Sequence, residues 1–269
     1  MPELPEVETT LRGLEPHLLH RTITRIEIRQ PKLRWPVPDE ILQLQGSTIQ
    51  LLKRRAKYLL IYTDRGNMIW HLGMSGSMRM LPEQDSGTKH EHIKITLNDG
   101  SSLRYIDPRR FGALLHTDSD PLTHKLICSL GPEPLSQEFD SPYLKQQCSS
   151  KNSAIKQVIM DSHVVVGIGN IYACESLFLS GINPKTKASG ISIKRLEKLV
   201  QSIKSVLQQA IFQGGTTLQD FTQTDGQPGY FAQQLNVYGN KNNCPDCGTK
   251  IKRITQAQRS TFYCTCCQR

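Results

Sequence analysis

Gly131-Pro132-Glu133-Pro134 divides this chain of 269 residues into two regions of opposite character. Each proline lacks a backbone N–H, and two of them close to a glycine stop regular structure, so the stretch predicts an interdomain linker. Upstream, after one helix, the pattern is that of strands. Downstream it is that of helices. This order predicts an α+β multidomain chain: an N-terminal helix with a β-sandwich or barrel, a helical domain and a small C-terminal piece. The expected boundaries are residues 1–131, 132–235 and 236–269.

Working upstream, Leu103 and Tyr105 face Ile93, Ile95 and Leu97 across Asn98-Asp99-Gly100, which reads as a hairpin. Asp107-Pro108-Arg109-Arg110-Phe111-Gly112 follows it. There, planar cations beside an aromatic could contact phosphate, a base edge or a stacking gap, or form a plain surface turn. Before the hairpin, His71-Leu72-Gly73-Met74-Ser75-Gly76 implies a tight bend with Met74 at its apex. That methionine is either a packing residue or an apolar wedge for a disturbed base stack. The apolar run from Ile49 to Tyr62 is interrupted by Lys53-Arg54-Arg55-Ala56-Lys57, a solvated turn or a phosphate-facing edge. Ile23, Ile26 and Ile28 begin an earlier strand.

The chain opens Met1-Pro2-Glu3-Leu4-Pro5-Glu6. Pro5 suits a first helical turn, Glu6 and Glu8 suit its positive end, and Val7, Leu11, Leu14 and Leu18 recur at helical spacing. With Met1 removed, Pro2 is a secondary amine whose α-amino group titrates at about pH 8. Attack of such an amine on a sugar C1′ gives an iminium with no N–H to lose, an electron sink that favours elimination. Glu3 supplies a neighbouring carboxylate for acid–base work. The plainer reading is a well-capped helix.

Downstream of the linker, Ser153 to Ser162 reads as one helix, and Val164 to Asn170 as a glycine turn into a second helix over about 171–180. The pair resembles a helix-turn-helix device, and the helix start at Gly169-Asn170 would suit a phosphate; an ordinary helical hairpin fits as well. Ile193, Leu196, Leu199, Val200, Ile203, Val206, Leu207, Ala210 and Ile211 mark a long amphipathic core helix. Gly214-Gly215 ends it, and the polar segment to Phe231 reads as a lid or a loop.

Five of the eight cysteines lie in the last 26 residues. Cys244-Pro245-Asp246-Cys247, sixteen residues, then Cys264-Thr265-Cys266-Cys267 gives two pairs of thiolates for tetrahedral Zn²⁺ around a hairpin, with Cys267 fitting the spacing better than Cys266. One structural zinc, rather than disulfides, is expected. Residues 236–269 hold six Lys or Arg and one acid, a charge of +5; four thiolates with Zn²⁺ leave +3. Lys250, Lys252, Arg253 and Arg259 make that hairpin a candidate DNA-contacting finger. The whole chain carries 33 Lys plus Arg against 24 Asp plus Glu, which favours a polyanionic partner. No signal peptide and no membrane-length apolar run is visible, so a soluble, cytoplasmic protein without a membrane partner is expected.

Five motifs in order resemble the formamidopyrimidine-DNA glycosylase family of bacterial base-excision repair. They are Pro2 to Thr9, Arg54 to Leu59, His71 to Gly76, Asp107 to Gly112 and Gly167 to Tyr172, and the four-cysteine end completes them. The Glu-Leu-Pro-Glu start resembles this branch rather than its relative endonuclease VIII. The resemblance implies a β-sandwich, a helix–two-turn–helix domain and a zinc ribbon acting on double-stranded damaged DNA. It implies release of 8-oxoguanine and ring-opened purines, then strand cleavage. Pro2 would attack C1′, Glu3 would serve as general acid–base, Lys57 would serve β-elimination and Arg259 δ-elimination. His90, Arg109, Lys151 and Asn170 would contact DNA, while Met74, Arg109 and Phe111 would fill the gap left by the flipped nucleotide, with Arg109 facing the orphaned cytosine. A monomer is expected. Cys174 and Cys266 depart from the family pattern and are candidate oxidation sites. A glycosylase for oxidised pyrimidines, and a zinc-ribbon DNA-binding protein without catalysis, are the competing readings.

Overall fold

The computed structural model describes residues 2–84, 86–216, 231–239 and 243–269. The chain forms two compact units, Met1–Cys128 with Gln213–Tyr230, and Ser129–Phe212 with Phe231–Arg269. The expected lid falls mostly on residues 217–230, outside the described residues.

The first unit opens with helix α1, Leu4–Leu18. Eight antiparallel strands follow: β1 Ile23–Ile28, β2 Ile49–Arg55, β3 Tyr58–Thr63, β4 Gly66–His71, β5 Ser77–Pro82, β6 Glu91–Leu97, β7 Ser101–Ile106 and β8 Ala113–Thr117. They make two four-stranded sheets, ordered β1-β6-β7-β5 and β2-β3-β4-β8. Ile93, Ile95, Leu103 and Tyr105 of the first sheet share one buried cluster with Leu52, Ile61, Met68 and Trp70 of the second and with Val7, Leu11, Leu14 and Leu18 of α1. Alternating residues of two sheets therefore meet face to face, and the sandwich is the observed form.

The Lys53–Lys57 interruption is the end of β2 and the turn of a hairpin. Arg55 pairs with Tyr58, which leaves Ala56-Lys57 as a two-residue connection with Ala56 at φ 55. Positive φ there matches the twist of the flanking strands. The Asn98–Gly100 turn also forms, with Gly100 at φ 79 and the Asp99 carboxylate accepting from Ser101 N.

The second unit holds α2 Ser141–Cys148, α3 Ile155–Ile159, α4 Asn170–Leu179 and α5 Ile193–Phe212, then the hairpin β9 Lys252–Gln256 with β10 Arg259–Tyr263. The long helix buries Leu196, Leu199, Val200, Ile203, Val206, Leu207 and Ala210 of the expected stripe, while Ile193 at its start is exposed and Ile211 near its end is half-buried. The helix expected over Ser153–Ser162 is shorter. Ala154 is extended and bridges Lys187, and at the other end the Asp161 carboxylate accepts the His163 N–H. The first end is spent on a tertiary bridge, and the second on a local turn, instead of further helical turns.

Candidate active site and nucleic-acid interface

In the first unit the candidate catalytic residues Pro2 and Glu3 lie at the start of α1. Pro2 is buried, and Glu3, at 2% exposure, is the N-cap. Its side chain accepts the Glu6 backbone N–H, while the Glu6 carboxylate accepts the Glu3 N–H at 2.7 Å. This reciprocal box satisfies two end-of-helix donors and fixes the residue that follows Pro2. The second Glu6 oxygen accepts Thr216 N at 2.8 Å. Gly214 and Gly215, at φ 75 and 84, bring that segment to Glu6, and a Cβ on Gly215 would lie 3.2 Å from its Oε1.

Lys57 sits on the β2–β3 turn, which Arg54 secures to α1. The Arg54 guanidinium donates to Ala56 O at 3.0 Å and to Glu8 Oε2 at 2.8 Å. Burial works to raise Glu8, but Arg54 and Arg12 outweigh it and hold the carboxyl below its ordinary value. Nearby, His71 is pushed down to about 4 by burial and by the positive charges of Lys57 and Arg34, so its ring is neutral at pH 7. Its Nδ1 accepts the Gly73 N–H at 3.0 Å, which fixes the tautomer with hydrogen on Nε2.

Gly73 to Gly76 makes the expected bend, with Met74 at its apex and 37% exposed. Phe111, 46% exposed, carries the Arg109 guanidinium 5.1 Å above its ring. The two turns touch directly: a Cβ on Gly73 would lie 2.4 Å from Gly112 N. Beside them opens a pocket of about 520 Å³ lined by Leu33, Arg34, His71, Met74, Arg110 and Phe111. His90 is half-buried, and its carbonyl accepts the Asp107 N–H.

In the second unit Lys151 is partly exposed and 3.6 Å from Asp161. Asn170 is the first residue of α4, but its side chain is engaged inside the unit. Its Oδ1 accepts Lys156 Nζ at 2.6 Å and its Nδ2 donates to Ser260 O at 2.8 Å. Lys156, 2% exposed, also donates to Thr261 Oγ1 at 2.7 Å. Two helices thereby grip β10 immediately after Arg259. Arg259 itself is exposed, following the tight turn Ala257-Gln258 at φ 45 and 61. The sequence reading missed Lys156. It also missed Glu175, which accepts the N–H groups of Asn236, Val237 and Tyr238 and the Asn236 amide at 2.8–3.0 Å. A carboxylate inside the otherwise apolar helix 171–178 was the available signal.

The Sγ atoms of Cys244, Cys247, Cys264 and Cys267 lie within 4.8 Å of one another, with Cys244–Cys267 at 3.8 Å and Cys247–Cys264 at 3.4 Å. Tetrahedral Zn²⁺ with bonds of about 2.3 Å needs sulfur separations of about 3.8 Å, so the set fits a structural metal. Cys266 is exposed and outside this cluster; Cys174 is buried at 1% exposure, out of reach of a solution oxidant. No helix among the described residues is long and apolar enough to cross a membrane.

Comparison with known proteins agrees in order and extent. Residues 1–114 match the formamidopyrimidine-DNA glycosylase N-terminal domain, 130–222 its H2TH domain, and 243–269 the zinc finger found in FPG and IleRS. The formamidopyrimidine-DNA glycosylases of Haemophilus influenzae (strain PittEE) and of Photobacterium profundum are each 53% identical over 270 residues, covering all of this chain and 99% and 100% of theirs. The crystal structure of the MutM (Fpg) protein of Thermus thermophilus superposes with a TM-score of 0.90 at 34% identity over 99% of this chain and 98% of that one. A Lactococcus lactis Fpg mutant in complex with Fapy-dG-containing DNA gives 0.93 at 32% identity, covering 99% of each. The chain belongs to the formamidopyrimidine-DNA glycosylase family of DNA-repair enzymes.

Proposed function

We propose that this protein is a bifunctional glycosylase and AP lyase that removes 8-oxoguanine and formamidopyrimidines from duplex DNA through Pro2. The observation that carries this reading is the buried Pro2-Glu3 pair at the capped start of α1. The uncharged Pro2 nitrogen attacks C1′, and the glycosidic electron pair leaves with the base, which takes up a proton. Glu3 serves as general acid–base, taking the proton that the attacking nitrogen loses and returning one to O4′ as the C1′–O4′ bond breaks and the iminium forms. The resulting iminium withdraws electrons while a C2′ proton is lost and the C3′–O bond breaks, with Lys57 as proton donor and phosphate partner. Arg259 serves the following loss of the 5′ phosphate. Proline suits the step because its iminium nitrogen has no proton to shed.

His90, Arg109, Lys151 and Asn170 contact DNA, and Met74, Arg109 and Phe111 occupy the stack vacated by the flipped nucleotide, with Arg109 facing the orphaned cytosine. The three working parts are residues 1–131 for chemistry, 132–235 for DNA binding and 236–269 for the finger, whose Cys244, Cys247, Cys264 and Cys267 hold one zinc. The zinc supplies folding energy to a hairpin with a small core. The protein acts as a cytoplasmic monomer.

The test is borohydride trapping on a duplex with 8-oxoguanine opposite cytosine, followed by peptide mapping. The expected adduct is on Pro2 of a chain lacking Met1. An adduct on Lys57 would reassign the nucleophile, and tight binding without an adduct would leave a non-catalytic zinc-ribbon DNA-binding protein. One Lactococcus lactis Fpg complex contains an oxidised pyrimidine, so a thymine-glycol duplex belongs in the same assay.

A further inference from the structure

Asp107 is fully buried, and its carboxylate receives four hydrogen bonds, three from two different turns and one from Tyr105 of β7. Oδ1 accepts Ser75 Oγ at 2.6 Å and Arg109 N at 3.2 Å. Oδ2 accepts Gly112 N at 2.8 Å and Tyr105 OH at 3.0 Å. Among the described residues no cation pairs with it. The remaining backbone groups of Asp107 are also engaged: its N–H donates to His90 O at 3.0 Å, and its carbonyl accepts His92 Nε2 at 2.7 Å and Arg110 N at 3.2 Å. Ser75 bridges further, since its Oγ also accepts the Arg109 N–H at 3.2 Å.

The surroundings are fitted to this anion. Tyr105 is raised well above its ordinary value by burial and by Asp107, so its hydroxyl stays a donor. A Cβ on Gly112 or Gly76 would lie 1.7 or 2.5 Å from that hydroxyl, so both turns need glycine to close around it. Arg110 holds φ 56, an uncommon conformation for an arginine, which the Asp107 carbonyl helps to fix.

We propose that Asp107 is a positioning residue that locks the Met74 turn to the Arg109–Phe111 turn, so that the three gap-filling side chains enter DNA as one preset unit. This rests on the gap-filling reading above. The physical case is preorganisation. An aspartate carboxylate is acceptor-only, and here it ties the Ser75 hydroxyl of one turn to the Arg109 and Gly112 N–H groups of the other, with Tyr105 OH as its fourth donor. With the turns already fixed, the wedge does not lose their conformational freedom when it enters the stack.

Asp107→Asn separates this role from mere scaffolding. The amide keeps shape but replaces one oxygen with a donor. The hydroxyls can rotate away, but the backbone groups cannot: with the amide nitrogen on one side Gly112 N loses this acceptor, and on the other Arg109 N is left with Ser75 Oγ alone. Two substrates carry the same 8-oxoguanine. In one it stands opposite cytosine in a full duplex. In the other the complementary strand lacks the three nucleotides facing the lesion, so no stack has to be refilled. Asp107→Asn should lower single-turnover base release on the full duplex by about tenfold to a hundredfold, as expected for misplaced positioning groups. The gapped substrate should change by less than about threefold, its chemistry being intact. Equal losses on both substrates, or no loss on either, would overturn the proposal. Should the variant not fold, Ser75→Ala, which removes only the bridging hydroxyl, must show the same duplex-selective loss. Met74→Ala and Phe111→Ala are measured in parallel. If they show no duplex-selective loss, the gap-filling reading itself fails. If they do and Asp107→Asn does not, only the role of Asp107 is lost.

Discussion

The backbone N–H of Glu3 donates to the carboxylate of Glu6 at 2.7 Å, and the other oxygen of that carboxylate takes the N–H of Thr216, 210 residues away from Glu6 in sequence. One buried anion thus sets both the turn that presents Pro2 and the end of the Gly214-Gly215 segment. Glu6→Gln turns one acceptor into a donor and leaves one of those N–H groups without a partner. Urea unfolding should show a loss of about 1–3 kcal/mol, the cost of an unsatisfied buried group. Single-turnover base release should fall by roughly tenfold or more, because Pro2 and Glu3, the proposed nucleophile and acid–base, shift together. Unchanged base release with lowered stability would confine Glu6 to a folding role.

Gly215 tests the same joint from its other side. Its φ of 84 and the 3.2 Å approach to Glu6 Oε1 leave little room for a side chain. Gly215→Ala should cost roughly 1–2 kcal/mol through left-handed backbone strain. Hydrogen exchange at Thr216 should speed up accordingly, while the β6–β7 amides stay as protected as before. Uniform loss of protection would mean that the joint is not a local element.

Cys266 and Cys267 are adjacent in sequence and differ in place. Cys267 joins the four-sulfur cluster, and Cys266 is exposed outside it. Metal analysis should find about one zinc per chain in wild type and in Cys266→Ser, and close to none in Cys267→Ser after brief chelation. Structural zinc contributes on the order of 10 kcal/mol to small fingers, so the zinc-free variant should also lose the hairpin's protection from proteolysis. A zinc-free Cys266→Ser protein would overturn the ligand assignment.

What could be read from the chain and what could not divide along a physical line. The Asn98–Gly100 hairpin, the 196–210 stripe of α5 and the cysteine pairs depend on spacing within one segment, and all three lie where the pattern puts them. The outer face of β6 was not legible. Lys94 alternates with Ile93 and Ile95 and so belongs to the face away from the core, and Glu91 is a charge at the strand's start, yet both are buried. Glu91 pairs with Arg104 at 3.1 Å and Arg29 at 2.7 Å, partners from two other segments. The same holds for Lys156 on Thr261 and Glu175 on Asn236 to Tyr238. A buried charge is stabilised by groups far away in sequence, and no local period records them. The helix expected over Ser153–Ser162 is shortened at its start for the same reason, Ala154 bridging the distant Lys187, and at its end by a local turn in which the Asp161 carboxylate accepts the His163 N–H.

Arg259 leads β10 from a two-residue turn and projects from the basic hairpin, while Lys57 sits on a different turn of the other unit. If the two serve successive eliminations, they separate by product. Arg259→Ala should leave β-elimination product accumulating with a 3′ unsaturated aldehyde, and the phosphate-ended δ product should drop by roughly tenfold or more. Gel separation of the two ends checks this. A parallel fall in both products would place Arg259 in binding alone.

His71 gives the fold an acid limit whose sign can be worked out. Its ring is held at about 4 against an ordinary 6.5, by burial and then by Lys57 and Arg34. The folded chain therefore keeps this imidazole neutral where the unfolded chain protonates it. Between pH 6.5 and about 4 the unfolded state binds more protons, and stability falls as pH drops through that window. Below it both states are charged and this contribution changes no further. The ceiling is about 3 kcal/mol, one proton across the whole shift. His71→Gln keeps an acceptor for the Gly73 N–H but cannot titrate. Unfolding free energies measured from pH 7 to pH 4 should fall less steeply in the variant, with the two curves converging by up to about 3 kcal/mol. Curves that stay parallel would place the acid sensitivity in other groups and leave His71 a neutral prop for the Met74 turn.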